Sequence, residues 1–189
     1  HAYYDCHTKD KFQQWFGNLW IGKHPTRNQG RYQILYFDFS RIGGSIADLA
    51  ENFNSYCNLC LDNFITRYQK YYSSDFVKRV LRLRTSVDKL NAIHMEAKDK
   101  GFPLYLIVDE YDNFTNVVLN EHGEKVYWAI THAEGFYRGV FKVFKGMFAR
   151  IFLTGVSPVT LDDLTSGFNI GWHLLQQSFL RIRRLLSAE

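Results

Sequence analysis

Residues 104–114 read LYLIVDEYDNF, and this stretch decides the fold that the sequence predicts. A short continuous apolar run after the turn residues 101–103 predicts a β-strand that is buried on both faces. Asp109 and Glu110 follow it directly, at the carboxyl end where open α/β sheets bind their ligands. This layout is typical of a Walker B strand, in which one carboxylate supports Mg²⁺ through water and the next polarises the attacking water. The alternative is that the two acids only cap the following helix.

Two further strands match this one. Residues 31–40, RYQILYFDFS, are strongly apolar and predict a central strand. Residues 149–155, ARIFLTG, predict a third buried strand that ends in Thr154 and a glycine. The Thr154 side chain could sense a γ-phosphate or hold the attacking water, or it could simply end the strand. Asp38, near the end of the first strand, is more typical of a turn or cap residue, so we leave it out of the predicted site.

Helical periodicity predicts most of the elements between the strands. Apolar residues with the spacing of one helix face occur near the start of the chain, at Phe12, Trp15, Phe16 and Leu19. Ser45 is the predicted N-cap of a long helix that extends toward Tyr68. Further helical segments are predicted at residues 76–83, 87–100 and 126–148, the last bent or split at Gly135 and Gly139. Residues 113–125 are predicted to form a polar loop.

The composition bounds the class of protein. At 189 residues, the chain is long enough for one domain with a sizeable core. An aromatic share of 17% argues against disorder, and a net charge of +4 is too mild to indicate nucleic-acid binding. No run approaches the ~18 apolar residues of a membrane span, and the start of the chain has no signal-peptide pattern. Three cysteines are too few for a disulfide framework and favour the reducing cytoplasm.

Several short motifs resemble functional sites but are not interpreted as such. Cys57 and Cys60 form a C-x-x-C pair with no second pair and no nearby histidine ligand, so core packing is favoured over zinc or redox chemistry. Residues 94–96, HME, lack the second histidine of a zinc-protease helix. Residues 132–134, HAE, lack the cysteine motif of the zinc deaminases. The basic residues within 78–84 indicate a solvated helix face rather than a phosphate patch.

Three segments together resemble the AAA-ATPase-like family: residues 32–40 (YQILYFDFS), 104–114 and 151–171 (IFLTGVSPVTLDDLTSGFNIG). Residues 2–5 (AYYD) and 11–25 (KFQQWFGNLWIGKHP) are similar to the region that follows the P-loop helix of that family. In the family, a P-loop ATPase domain is often followed by a PD-(D/E)XK nuclease-type domain. Its members are mainly bacterial, and the resemblance implies a cytoplasmic protein.

The resemblance implies a fold class, a site and its ligands. The implied fold is α/β, a partial P-loop NTPase-type sandwich with three neighbouring parallel strands and flanking helices. Asp109 would support Mg²⁺, Glu110 would activate water, and Thr154 would occupy the sensor position on the neighbouring strand. The implied cofactors are ATP and Mg²⁺, and no membrane partner is implied.

The sequence departs from the family pattern at both ends. No G-x-x-x-x-G-K-[ST] loop occurs in the 189 residues, so the glycine loop and lysine that cradle phosphates are absent from them. The family places that loop immediately before AYYD, so we expect His1 to be a truncation point and the P-loop strand to be missing. Residues 172–189 do not continue the family pattern, so we divide the chain into a partial domain, 1–171, and a basic amphipathic tail. Nucleic-acid binding is expected only through the family's nuclease-type domain, which would lie beyond this tail.

Two functions of different classes follow. The first is a fragment of an ATP-binding, ATP-hydrolysing P-loop domain that contributes the Walker B-like and sensor strands and is inactive alone without the phosphate loop. The second is a non-catalytic module derived from such a domain, which binds a partner through its aromatic helices and a bare sheet edge. Because the family order puts the P-loop strand beside the sensor strand, the sensor strand is predicted to be that bare apolar edge, and therefore prone to self-association. A glycine–lysine loop in frame before His1 would favour the ATPase, and a start codon there would favour the module.

A third and weaker hypothesis is a metal-dependent nuclease that uses Asp109, Glu110 and Asp112. It ranks last because the sequence lacks the spaced carboxylate-then-lysine pattern that such a site needs.

Overall fold

The computed structural model describes residues 1–132 and 135–156. The predicted tail, residues 172–189, and most of the third family-like segment lie outside the described residues. Short 3₁₀ turns at Cys6–Lys11, Phe39–Arg41, Ile46–Asp48 and Gln69–Tyr71 accompany the regular elements. In chain order the helices and strands are α1 Phe12–Phe16, α2 Trp20–Lys23, β1 Gln33–Asp38, α3 Leu49–Arg67, α4 Ser74–Arg82, α5 Ser86–Asp99, β2 Leu104–Asp109, α6 Asn113–His122, α7 Glu124–Thr131, α8 Phe136–Phe144 and β3 Arg150–Leu153.

The strands form one parallel sheet in the order β1-β2-β3. Helices separate the strands along the chain, and such crossover connections are typical of parallel strands. Each connection carries the chain from the carboxyl edge of the sheet back to the edge where the previous strand began. The register places Asp38 beside Asp109 and Val108 beside Leu153, so the three carboxyl ends lie at one edge. This is the predicted α/β class, a partial P-loop-type sandwich of three parallel strands with flanking helices.

The central strand is β2, so the prediction of a central β1 is wrong within the described sheet. The outer edge of β1 is instead satisfied by side chains. The Tyr68 hydroxyl accepts the Ile34 N–H at 2.8 Å and donates to Asp5 at 2.8 Å, and the Tyr56 hydroxyl accepts the Asp38 N–H at 2.9 Å. These bonds pair N–H groups that an edge strand otherwise presents to other chains.

The two faces of the sheet differ in burial. Phe37 and Val108 are fully buried on one face, and the Phe37 ring lies 5.8 Å from that of Phe144 in α8. On the opposite face, the Tyr36 side chain is 40% exposed and Phe152 is 41% exposed. Both crossovers step across the sheet in the same direction, and right-handed crossovers of this kind put their helices on the same face. The helices between the strands therefore cover one face only.

The prediction that β2 is buried on both faces is consequently wrong, and so is the prediction that β3 is a buried strand. Along β2, fully buried residues alternate with partly buried ones, and the residues of β3 are exposed or partly buried. The N-terminal segment contacts the less covered face through the Tyr4 ring, which lies 5.8 Å from the ring of Tyr105. Within the described sheet, β3 is an edge strand with an exposed apolar residue, Phe152.

Aromatic rings fill the space between the sheet and its helices. The fully buried ring of Tyr137 lies 5.5 Å from Phe53, 5.3 Å from Phe114 and 5.2 Å from Phe141. Rings at these separations add favourable contacts to their area burial. The high aromatic content of the sequence is thus largely a property of this core.

The C-x-x-C pair is part of the same core, as predicted. Cys57 is 2% exposed, Cys60 packs against the core while partly buried, and both thiols are free. Burial raises the pKa of the Cys57 thiol far above its ordinary value, which keeps it neutral and unreactive.

Residues 113–125 do not form the predicted polar loop. Most of them form α6, whose residues Phe114 and Val118 are buried in the core. Gly123 ends this helix with a φ of +80°, a conformation that glycine adopts without steric cost. Phe114 and Val118 lie one turn apart, and their packing stabilises a helix that the polar composition of residues 113–125 does not predict.

The other helices agree better with their predicted positions. Helices α4 and α5 match, and the 126–148 stretch is split into α7 and α8 before Gly135. The long helix begins at Leu49 rather than after Ser45, whose hydroxyl donates to Asp48 at 2.7 Å. The predicted N-terminal helix breaks after Phe16, and Trp15 is 43% exposed rather than buried. None of the helices in the described part of the chain is both long and apolar enough to cross a membrane.

Candidate functional site

The sequence-predicted site residues meet at the carboxyl edge of the sheet. Asp109 is the last residue of β2, Glu110 follows it, and Thr154 follows the last residue of β3. The Thr154 N–H donates to Val108 O at 2.9 Å, and the Tyr111 N–H donates to Thr154 O at 2.9 Å. These two backbone bonds hold the ends of β2 and β3 side by side.

Each oxygen of the Asp109 carboxylate accepts a hydroxyl hydrogen bond from a neighbouring strand. Tyr36 of β1 donates to Oδ2 at 3.0 Å, and Thr154 donates to Oδ1. Burial raises the pKa of the Tyr36 hydroxyl, and the hydrogen bond to Asp109 raises it further. Asp109 is partly buried, so solvent reaches its remaining lone pairs.

The Thr154 hydroxyl also links Asp109 to Glu110. Its oxygen accepts the Glu110 N–H at 3.3 Å while its proton is donated to Asp109. One hydroxyl can do both, because it has one proton and two lone pairs. Thr154 therefore fixes the backbone of one candidate residue and the side chain of the other.

Glu110 has an unusual backbone conformation. Its φ is +50°, the only positive φ among the non-glycine residues in the described ranges. In this left-handed region the Cβ of an L-residue crowds its own backbone, which costs energy. The turn directs the chain away from β2 into α6 and leaves the Glu110 side chain exposed. Its carboxylate is therefore open to solvent beside Asp109.

Asp112 has a structural position. It is 1% exposed, and its carboxylate accepts the Val156 N–H at 3.2 Å and 2.9 Å. Gly155 fits against it closely, since a Cβ at that position would lie 2.5 Å from Asp112 Oδ1 and 2.5 Å from Tyr111 Cε1. Asp112 thus holds the chain that leaves β3.

This arrangement gives no support to the nuclease hypothesis. Within the described residues, no group of three or more His, Cys, Asp or Glu side chains is placed to hold a metal ion, and the Asp112 carboxylate accepts the Val156 N–H with both oxygens. Asp38 is also engaged locally, as expected of a turn residue, because it accepts from the Ser40 hydroxyl at 2.5 Å and from Arg41 Nε at 2.9 Å. The bond from Ser40 lowers the pKa of Asp38, and Arg41 lowers it further.

Sequence reasoning missed two residues of this edge. Tyr36 is only one residue of the apolar stretch 31–40 in the sequence, and nothing there indicates that its hydroxyl reaches a carboxylate 73 residues away. The sequence indicates Gly155 only as the end of a strand. The signal that could have found it is its position two residues after the apolar β3, where a glycine lets the chain pass close to the β2 turn.

The residues present fit one implied ligand better than the other. Mg²⁺ prefers oxygen ligands and is commonly held through one or two carboxylates with several retained waters. Asp109 and Glu110 supply such oxygens at a solvent-accessible edge. Phosphates need a cradle of backbone N–H groups and a lysine, and the 189 residues contain no loop of that pattern. Asp109 and Glu110 therefore provide oxygen ligands of the kind that a hydrated Mg²⁺ takes, and the 189 residues provide no phosphate loop of the G-x-x-x-x-G-K-[ST] pattern.

The fold and this edge define a class of protein, a partial P-loop-type α/β domain. The family model described as a predicted AAA-ATPase matches residues 1–165, and the chain belongs to this AAA-ATPase-like family. No curated protein and no solved structure matches the chain. The family assignment connects the site to nucleotide and Mg²⁺ chemistry in general terms.

Proposed function

We propose that this chain contributes the Walker B-like and sensor strands of an ATP-binding, ATP-hydrolysing domain. The observation that carries the proposal is the Asp109 carboxylate, which lies at the carboxyl edge of a parallel sheet and accepts the Thr154 hydroxyl from the next strand. The family match over residues 1–165 supports the nucleotide class.

Each of the three residues has a distinct role in this proposal. Asp109 holds a hydrated Mg²⁺ through its waters, because its hydroxyl partners leave its outer lone pairs free. Glu110, exposed beside it, accepts a hydrogen bond from the attacking water and orients it. Thr154 keeps both residues in register through its single hydroxyl. A bound Mg²⁺ would supply charge neutralisation for the phosphates.

The proposal is tested by calorimetric titration of Mg²⁺ and ATP. The titration uses this chain and a longer form that supplies a glycine–lysine loop before His1. We expect Mg²⁺-dependent ATP binding that is far tighter in the longer form and is lost in Asp109→Ala. Asp99→Ala, which removes an exposed carboxylate at the end of α5, is the matched control and is expected to bind normally.

Absence of Mg²⁺-dependent binding in both forms would refute the ATPase proposal. It would favour the non-catalytic partner-binding module, which the exposed Phe152 on the β3 edge supports. Self-association through that edge would then appear as a concentration-dependent sedimentation coefficient.

A further inference from the structure

Tyr36 occupies an unusual place for a tyrosine in a parallel sheet. It lies on β1, on the less covered face of the sheet, and its ring is 40% exposed. Its hydroxyl nevertheless has a defined partner, Asp109 Oδ2, at 3.0 Å. The hydroxyl therefore extends along the sheet to the candidate cation site.

We propose that Tyr36 is a positioning residue that orients the Asp109 carboxylate toward a hydrated divalent cation. The inference rests on the proposed function of the same site. Neither the family match nor the Walker B-like pattern assigns a role to this residue.

The argument begins with the two oxygens of Asp109. A carboxylate on a strand end can rotate about its Cβ–Cγ bond, and a single hydrogen bond leaves part of that freedom. Here Tyr36 holds Oδ2 from β1 and Thr154 holds Oδ1 from β3, so the two partners act from opposite sides. Together they fix the plane of the carboxylate.

The remaining lone pairs then have a definite direction. Each carboxylate oxygen has about two lone-pair sites, and each uses one of them to accept a hydroxyl hydrogen bond in this structure. The others face solvent, where they can accept hydrogen bonds from the waters of a hydrated cation. Mg²⁺ releases its waters reluctantly, so a preoriented acceptor for those waters suits it well.

A purely structural role explains the contact less well. The Tyr36 side chain is too exposed to contribute much to the core, and a hydrogen bond at the surface adds little net stability. Groups that orient a metal ligand without touching the metal have large effects on affinity, commonly tenfold or more. The expected consequence of losing the hydroxyl is therefore weaker cation binding with nearly unchanged stability.

The test is a Mn²⁺ titration followed by electron paramagnetic resonance, with Mn²⁺ as the spectroscopic substitute for Mg²⁺. Tyr36→Phe removes the hydroxyl and keeps the ring. Tyr105→Phe is the matched control, since Tyr105 lies on the same face toward the other end of β2 and packs against Tyr4. We expect Tyr36→Phe to weaken Mn²⁺ binding about tenfold, Tyr105→Phe to change it less than about twofold, and Asp109→Ala to abolish it.

Three other outcomes would overturn the inference. If wild type and Tyr36→Phe bind Mn²⁺ equally while Asp109→Ala does not bind, the cation site stands and the role of Tyr36 is refuted. If Tyr36→Phe and Tyr105→Phe both weaken Mn²⁺ binding, and both also lower the melting temperature, the Tyr36 hydroxyl has only a general structural role. If wild type binds no Mn²⁺, the proposed function fails and the inference fails with it.

Discussion

The left-handed backbone at Glu110 leads to a test that compares two substitutions at one position. Glu110→Ala and Glu110→Gly both remove the exposed carboxylate, so their difference reports on the backbone alone. Glu110 has a φ of +50°, which glycine adopts freely and alanine does not. We therefore expect the glycine variant to be the more stable of the two, opposite to the usual order.

The magnitude follows from two opposing terms. The left-handed conformation costs a residue with a Cβ about 1–2 kcal/mol, which glycine avoids. Glycine in turn loses about 0.5–1 kcal/mol more conformational entropy on folding than alanine does. The net expectation is that Glu110→Gly is more stable than Glu110→Ala by up to about 1.5 kcal/mol, equivalent to at most roughly 6 °C in melting temperature for a chain of this size.

The assay is urea unfolding followed by tryptophan fluorescence, with the free energy of unfolding extrapolated to water. Asn91, an exposed residue inside α5, provides the control pair. In a helix interior glycine is less stable than alanine by about 1 kcal/mol, so Asn91→Gly is expected below Asn91→Ala. Equal unfolding slopes in all four variants would show that the denatured state is comparable.

The result that refutes the reasoning is the same order at both positions. If Glu110→Gly is less stable than Glu110→Ala, as at Asn91, the backbone at Glu110 is not strained. The expected result would instead show that stability is given up at a candidate catalytic position, as is common where a backbone is held for function. Glu110→Gly is also expected to lose the water-orienting carboxylate that the proposed function requires.

Two further predictions concern stability. Gly155→Ala is expected to lower the free energy of unfolding, measured in urea, by about 1–3 kcal/mol, because its Cβ would lie 2.5 Å from Asp112 Oδ1. The control is Gly139→Ala in α8, where a Cβ would have nothing within 4 Å, and this variant is expected to raise the free energy of unfolding by up to ~1 kcal/mol. Equal effects of the two substitutions would contradict the close packing at Gly155. Burial raises the pKa values of Cys57, Tyr68 and Tyr137 in the folded state. The unfolded chain releases these protons near the ordinary pKa values of 9.0 for cysteine and 10.0 for tyrosine, whereas the folded chain still holds them. The stability from these groups is complete below about pH 9 and falls as pH rises further, so urea midpoints should be lower at about pH 10.5 than at about pH 8; unchanged midpoints would contradict it.

The sequence predicted the site residues by their place on strands, and the structure brings these residues together. Asp109 and Glu110 end an apolar run, and Thr154 ends another, so parallel pairing alone brings them to one edge. Their catalytic and ligand roles stay predictions. The pairing was predictable because helical segments separate the strands, and such connections make neighbouring strands parallel.

Other features were not predictable from local pattern. A helix at 113–122 depends on the burial of Phe114 and Val118, which local polarity conceals. The burial of β2 and β3 depends on which face the crossovers cover, and a continuous apolar run does not contain that information. The order of the strands placed β2, not β1, at the centre.

The amino-acid sequence by itself determined the element types of the α/β fold, the position of Asp109 and Glu110 at a strand end, and the family. Periodicity and short motifs carry these properties, because each depends on residues that are close together in the chain. Only the tertiary structure decided that Asp109 is held by Tyr36 and Thr154, and that Gly155 lies against Asp112. Tyr36 is 73 positions and Thr154 is 45 positions away from Asp109 in the chain. The geometry of these contacts therefore depends on how the strands pack together and not on local sequence.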